Sequence, residues 1–172
     1  IGSAKELSIN KRIEDLGKKL KDWKGIEFFR GITSGFNEAF HLNKLEAKEL
    51  IEVDKKNSEL LKPLLRGKDI KRWIYDYHDL FIINSHNGVL DYYDESSPKA
   101  ILKKDGTYQT LKDRADQGDH WTNLRNCAFV EEFEKPKIVW IEISDRANYA
   151  YDKQGFFLTN SAYFISGDNL KY

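Results

Sequence analysis

The residues able to do covalent or metal chemistry are few and scattered. Cys127 coexists with His41, His78, His86 and His120, the inventory of a thiolate nucleophile and a base. Asn126-Cys127-Ala128-Phe129-Val130, however, leads into an apolar stretch where a cysteine acts as a small hydrophobe, and no nucleophile signature surrounds it. The histidines form no His-x-x-x-His pair and the cysteine has no Cys-x-x-Cys partner, so local spacing assembles no metal shell. Glu46-Ala47-Lys48 supplies the Glu-x-Lys triplet of a Mg²⁺ nuclease, but without an upstream Pro-Asp pair it reads as a solvated helix face. Gly31-Ile32-Thr33-Ser34-Gly35 has two glycines yet neither a Walker ending nor the third glycine of a dinucleotide fingerprint.

Anion binding is better represented. Lys62 to Trp73 carries five basic residues, Lys62, Arg66, Lys68, Lys71 and Arg72, against the single acid Asp69. Such a cluster can neutralise phosphates, and Gly67 would let backbone N–H groups approach an anion; a solvated turn with one salt bridge from Asp69 explains it equally well. Lys18, Lys19, Lys21 and Lys24 form a second basic set around Trp23, and the two sets together suggest one positive face.

The 172 residues suffice for one domain with its own core. Its 28 Lys+Arg balance 28 Asp+Glu, but residues 1–75 carry +5 and residues 76–172 carry −5, so neutrality hides two unlike halves. With 40% hydrophobic and 13% aromatic residues the chain should fold. No apolar run approaches the ~20 residues of a membrane span, and Ile1 to Lys11 lack a signal-peptide core, so a cytoplasmic location without membrane contact is expected. A lone cysteine fits a reducing compartment, and the absence of methionine suggests a segment of a longer chain.

The elements that must position these residues read as α+β. Ser3-Ala4-Lys5-Glu6 is a capping box before an amphipathic helix through Leu7, Ile9, Ile13 and Leu16, closed by Gly17. Ile26–Phe29 and Phe36–Leu42 are expected as strands, Lys44–Leu65 as helix interrupted at Pro63, and Leu80–Ile83 as a buried strand. Asn84–Ser97 should be a long surface loop, with helices starting at Ser97-Pro98 and spanning Tyr108–Ala115. After Pro136 four strands, 137–143, 147–151, 155–159 and 162–165, should form a small, mostly antiparallel C-terminal sheet. Most of Trp23, Trp73, Trp121 and Trp140 are expected in the core.

Five segments in this order carry a resemblance. They are Gly31 to Phe40, Leu61 to Trp73, Leu111-Lys112-Asp113-Arg114 with Gly118-Asp119-His120-Trp121, Phe133 to Trp140, and Thr159 to Ile165. Together they resemble the TaqI-like C-terminal specificity domain, from about Ile13 onward, with His120 standing where the family often has a first of two tryptophans. The resemblance implies a target recognition domain, non-catalytic by itself, from a type IIG restriction endonuclease and adenine-N6 methyltransferase. Its partners would be double-stranded DNA and the methyltransferase and nuclease domains of the same polypeptide. S-adenosylmethionine and Mg²⁺ would belong to that parent; this domain would hold no cofactor.

On that reading Lys62, Arg66, Lys68, Lys71, Arg72 and Lys21 contact phosphates. Asn84, His86, Asn87, Arg114 and Arg125 are the candidates for base readout, by the pairings of Arg with guanine and Asn with adenine. The rivals are the specificity domain of a phage-defence methyltransferase without nuclease activity, a protein-interaction module docking an acidic partner on the basic face, and a self-contained nuclease.

Overall fold

Two four-stranded sheets share one core in the computed structural model, which describes residues 3–87, 108–167 and 170. The strands are β1 (Glu27–Arg30), β2 (His41–Leu42), β3 (Leu61–Leu65), β4 (Phe81–Ile83), β5 (Lys137–Ile141), β6 (Tyr149–Asp152), β7 (Phe157–Leu158) and β8 (Ala162–Ser166). The helices are α1 (Ala4–Leu16), α2 (Asn37–Phe40), α3 (Lys44–Val53), α4 (Asn57–Leu60) and α5 (Tyr108–Asp113). The fold class is α+β, as expected. No described helix is long and apolar enough to cross a membrane.

The first sheet runs β1-β8-β5-β6 and is antiparallel throughout; the second runs β2-β4-β3-β7, with β3 and β7 parallel. The C-terminal strands therefore do not make a sheet of their own. Three of them recruit β1 from the N-terminal region, and β7 leaves to pair with β3. Phe36–Leu42 is also not a strand but α2 followed by the two-residue β2. Of Lys44–Leu65, only the first part is helical, and Pro63 lies inside β3. It is tolerated because Leu64, not residue 63, donates to Leu80 O in the ladder with β4, and β7 pairs with β3 only from Leu64 onward. The segment from Ser97-Pro98 and most of the Asn84–Ser97 loop lie outside the described residues.

Capping chemistry sets two helix starts, the first of them as the sequence indicates. Ser3 and Glu6 form a reciprocal box at α1, and Asn43 and Glu46 form another at α3, where Ala47 is buried and Lys48 meets Glu52 at 3.7 Å. The Glu46-Ala47-Lys48 triplet is thus part of a helix cap. α1 buries none of its residues, so its apolar spacing builds no part of this core.

The core is centred on Phe133, whose ring lies 4.8 Å from Phe157 and 4.9 Å from Phe164, with Phe40, Leu64, Leu65, Ile82, Ile83 and Leu111 also buried in it. Lys137 is also fully buried. Its ammonium meets Asp152 Oδ2 at 2.5 Å and donates to Phe133 O, while Asp152 accepts from the backbone N–H groups of Gln154 and Phe156. Burial pulls the Lys137 pKa down from its ordinary value, opposed by the Asp152 charge and hydrogen bond. This pair ties β5 to β6 and to the turn leading into β7, at a place where both charges would be costly alone.

Between β7 and β8 the chain changes sheets within three residues, and two glycines make room for it. A Cβ on Gly31 would lie 1.9 Å from Thr159 O, and one on Gly67 would lie 2.5 Å from Ser161 O. The approach is hydrogen-bonded from both sides: Gly31 N–H to Ala162 O, Ile32 N–H to Leu158 O, Thr159 N–H to Leu65 O and Gly67 N–H to Ser161 Oγ. Gly31→Ala and Gly67→Ala should each lower stability by about 1–3 kcal/mol, because backbone atoms cannot rotate aside. Urea denaturation measures this; an unchanged midpoint for both would mean the junction can shift freely.

Candidate nucleic-acid interface

The basic segment is held by its single acid. Asp69, 3% exposed, closes a 3-10 turn (Gly67–Asp69) and accepts from the Arg66 backbone N–H at 2.9 Å, from Arg66 Nε at 2.8 Å and from its terminal nitrogen at 2.9 Å. Burial alone would raise the Asp69 carboxyl, but the Arg66 side-chain and backbone hydrogen bonds and charge together hold it below the usual carboxylate range. Further bonds stiffen the loop beyond: Asp76 N–H to Asp69 O, Lys71 N–H to Ile74 O and Trp73 N–H to Tyr149 O.

This arrangement divides the five basic residues. Arg66 is forked onto Asp69, and Lys62 meets Glu134 at 2.6 Å, so both already have carboxylate partners. Lys68, Lys71 and Arg72 project into solvent, with Lys71 Nζ donating to Lys68 O and the Arg72 guanidinium 5.5 Å from the Trp73 ring centre. Lys21 is exposed on a separate 3-10 turn (Leu20–Asp22). Gly67 does not serve an anion: its N–H is used by Ser161, and its missing side chain accommodates the Ser161 carbonyl.

The base-reading candidates are mostly committed to the scaffold. Asn84 is buried, and its side-chain oxygen has no hydrogen-bond partner among the described residues. Asn87 Oδ1 accepts from Asp119 N–H at 3.0 Å beside Gly118, where a Cβ would collide with it. His86 Nδ1 lies 2.7 Å from Asn87 O, and Asn123 Nδ2 donates to both Ser85 O and His86 O. The start of the expected surface loop is therefore packed onto residues 118–124, because its backbone groups are satisfied there rather than by water.

Arg114 is the most fully bonded of them. Its guanidinium donates to the carbonyl oxygens of Leu111, Ser34, Trp121 and Asn123 and lies over the Phe40 ring, a scaffold role in this structure. Burial lowers its pKa, and the nearby Asp116 charge opposes that. Only Arg125 of the five candidates is exposed. Cys127 is half-buried against the core with its thiol pushed up by burial, the reverse of an activated nucleophile. Among the described residues no His/Cys/Asp/Glu group could hold a metal ion.

Sequence reasoning missed an aromatic row on the outer face of the first sheet. Arg30 on β1 pairs with Tyr163 on β8, Tyr163 with Trp140 on β5, and Trp140 with Tyr149 on β6. Directly paired residues share a face, so these four side chains cross the whole sheet opposite Phe29, Phe164, Val139 and Ala150 in the core. The rings are 6.0 Å apart for Trp140 and Tyr163 and 6.1 Å for Trp140 and Tyr149. Arg30 lies 5.8 Å from the Tyr163 ring centre and is paired with Glu142 at 3.2 Å. Contrary to the expected core placement, Trp23 is 51% and Trp73 65% exposed. Alternation along each strand was visible in the sequence; the registers that align the row were not.

The fold has a solved counterpart. The type IIL restriction-modification enzyme MmeI, determined in complex with DNA, superposes at a TM-score of 0.53 with 11% identity, over 83% of this chain and 19% of MmeI. The likeness is one of fold, and this chain spans about a fifth of the MmeI length. No protein-family model and no curated protein matches the sequence.

The Arg66–Asp69 fork generates a prediction about acid stability. A carboxylate whose folded pKa is depressed contributes stability above its unfolded value of about 3.9, lost as pH falls through the folded value. Arg66→Ala should cost about 1–3 kcal/mol near neutral pH. Asp69→Asn should be most destabilising near neutrality, its deficit shrinking as the wild type is titrated below about pH 4. Urea denaturation across pH measures both, and a deficit that does not depend on pH would contradict the assignment.

Proposed function

We propose that this chain is the sequence-specific double-stranded DNA recognition domain of a restriction-modification enzyme of the TaqI-like specificity type, non-catalytic by itself. The observation that carries the reading is the rigid basic turn: Asp69 fixes the loop from which Lys68, Lys71 and Arg72 project together into solvent. A fold shared with part of a DNA-bound restriction-modification enzyme supports it. A pre-ordered turn loses little entropy when its cations meet phosphates, which suits a group whose task is to set register.

Lys68, Lys71, Arg72 and Lys21 act as phosphate contacts, and Lys62 and Arg66 reach DNA only by sharing or exchanging their carboxylate partners. Of the candidate base readers, Arg125 is the one best placed by exposure to read a base. Methylation and cleavage then belong to other domains of the parent polypeptide, together with S-adenosylmethionine and Mg²⁺.

Three or four phosphate contacts give a log–log salt slope near −3, so duplex affinity of the chain should fall roughly 40- to 150-fold over a fourfold rise in salt. Lys71→Ala should weaken binding to all duplex sequences alike and reduce that slope by ~1. Fluorescence anisotropy with a labelled duplex measures both. Salt-independent binding, or none at low salt, would remove DNA as the ligand.

A further inference from the structure

The aromatic row has no part in the duplex reading above; Tyr149 on it is exposed and Trp140 and Tyr163 are half-buried, with Phe28 edge-on to Trp140 at 6.3 Å and Glu142 accepting from the Tyr163 hydroxyl. Its members come from four strands, in register, and span about 14 Å across the sheet. At the β6 end of the row a second element joins the sheet edge, where Trp73 N–H donates to Tyr149 O at 2.7 Å. That bond anchors the exposed Trp73 ring, with Arg72 over it, beside the last strand. Trp73 holds φ at 72°, a left-handed backbone conformation that a bulky side chain rarely adopts. The surrounding bonds thus hold an exposed tryptophan in a backbone conformation that costs free energy, where a core role offers no compensation.

We infer that this face binds unpaired bases of single-stranded nucleic acid, stacking them along Tyr163, Trp140, Tyr149 and Trp73. Three features favour that occupant. A sheet surface carrying flat rings at strand spacing offers successive π-faces, which every base can use whatever its identity. Guanidinium planes stand at both ends, Arg30 over Tyr163 and Arg72 over Trp73, and such planes stack on bases as rings do. At the Trp73 end Arg72, Lys71 and Lys68 carry positive charge with no ion pair among the described residues, where a backbone leaving the platform would pass, whereas Glu142 offsets Arg30 at the other end. Lys153, 5.2 Å from the Tyr151 ring on the neighbouring row, adds another cation. A duplex keeps its bases stacked on one another and cannot use this face, so the inference stands apart from the duplex reading.

The test uses the full chain with a fluorescein-labelled oligothymidylate of roughly a dozen nucleotides, within the site sizes known for stacking platforms, and a duplex of equal length. The oligothymidylate should bind and quench tryptophan emission, and Trp73→Ala and Tyr149→Ala should each weaken it about tenfold, whereas Trp73→Phe should keep most of the affinity. Duplex binding should move less than about twofold in Tyr149→Ala, which alters neither a phosphate contact nor a ring beside one. Oligothymidylate that does not bind, or binding unmoved by either alanine substitution with circular dichroism intact, overturns the inference. So does a self-association in sedimentation that either substitution abolishes, which would make the face a protein surface. Loss of duplex binding with oligothymidylate binding retained refutes only the preceding reading.

Discussion

Between Leu158 and Ala162 the backbone leaves the second sheet and enters the first, and it can do so only where two other segments lack side chains. Gly31 and Gly67 close on Thr159 and Ser161 from opposite directions, each near enough that a methyl group would overlap a carbonyl oxygen. The contact is also a hydrogen-bonded one, so the strand ends of both sheets and the start of the basic turn are all referred to the same three residues. Every surface discussed above inherits its position from this junction. The basic turn begins at Gly67, the aromatic row includes Tyr163 just past the junction, and Arg30 bonds to Asn160 within it.

Around that junction the interior uses ionised groups where a purely apolar core would leave strands free to slide. Lys137 and Asp152 join β5 and β6, Arg66 and Asp69 shape the turn after β3, and Arg114 gathers four carbonyls from three stretches of chain. Buried charge of this kind adds little net stability compared with a well-packed apolar substitute, but removing one member leaves the other stranded. Each pair therefore acts as a register key.

The same logic sorts the surface. A formally neutral chain can present a local positive site because its carboxylates are spent inside or beside specific cations: Asp69 on Arg66, Glu134 on Lys62, Glu142 on Arg30. What remains exposed at the Lys68–Trp73 turn is a small group of cations next to aromatic rings, a combination that net charge alone would never indicate.

Local chemistry was legible in the amino-acid order. The Ser3–Glu6 capping box, the helical stretch from Tyr108, the apolar strand β4 and the inert surroundings of Cys127 follow from neighbours a few residues apart, and the sequence by itself determines them because short-range sterics and hydrogen bonding suffice. The basic character of Lys62–Trp73 was legible for the same reason. Which of its residues stay free was not, because the partners of Lys62 and Arg30 lie 72 and 112 positions away. Likewise Phe36–Leu42 and Lys44–Leu65 carry ambiguous local signals that long-range pairing with β4 and β7 resolves. The burial of Asn84, the hydrogen bonds of Asn87 and Arg114 and the alignment of Arg30, Tyr163, Trp140 and Tyr149 were decided only by tertiary structure. Strand register and loop docking depend on contacts between distant segments, and composition or spacing within one segment carries no record of which distant segment will face it.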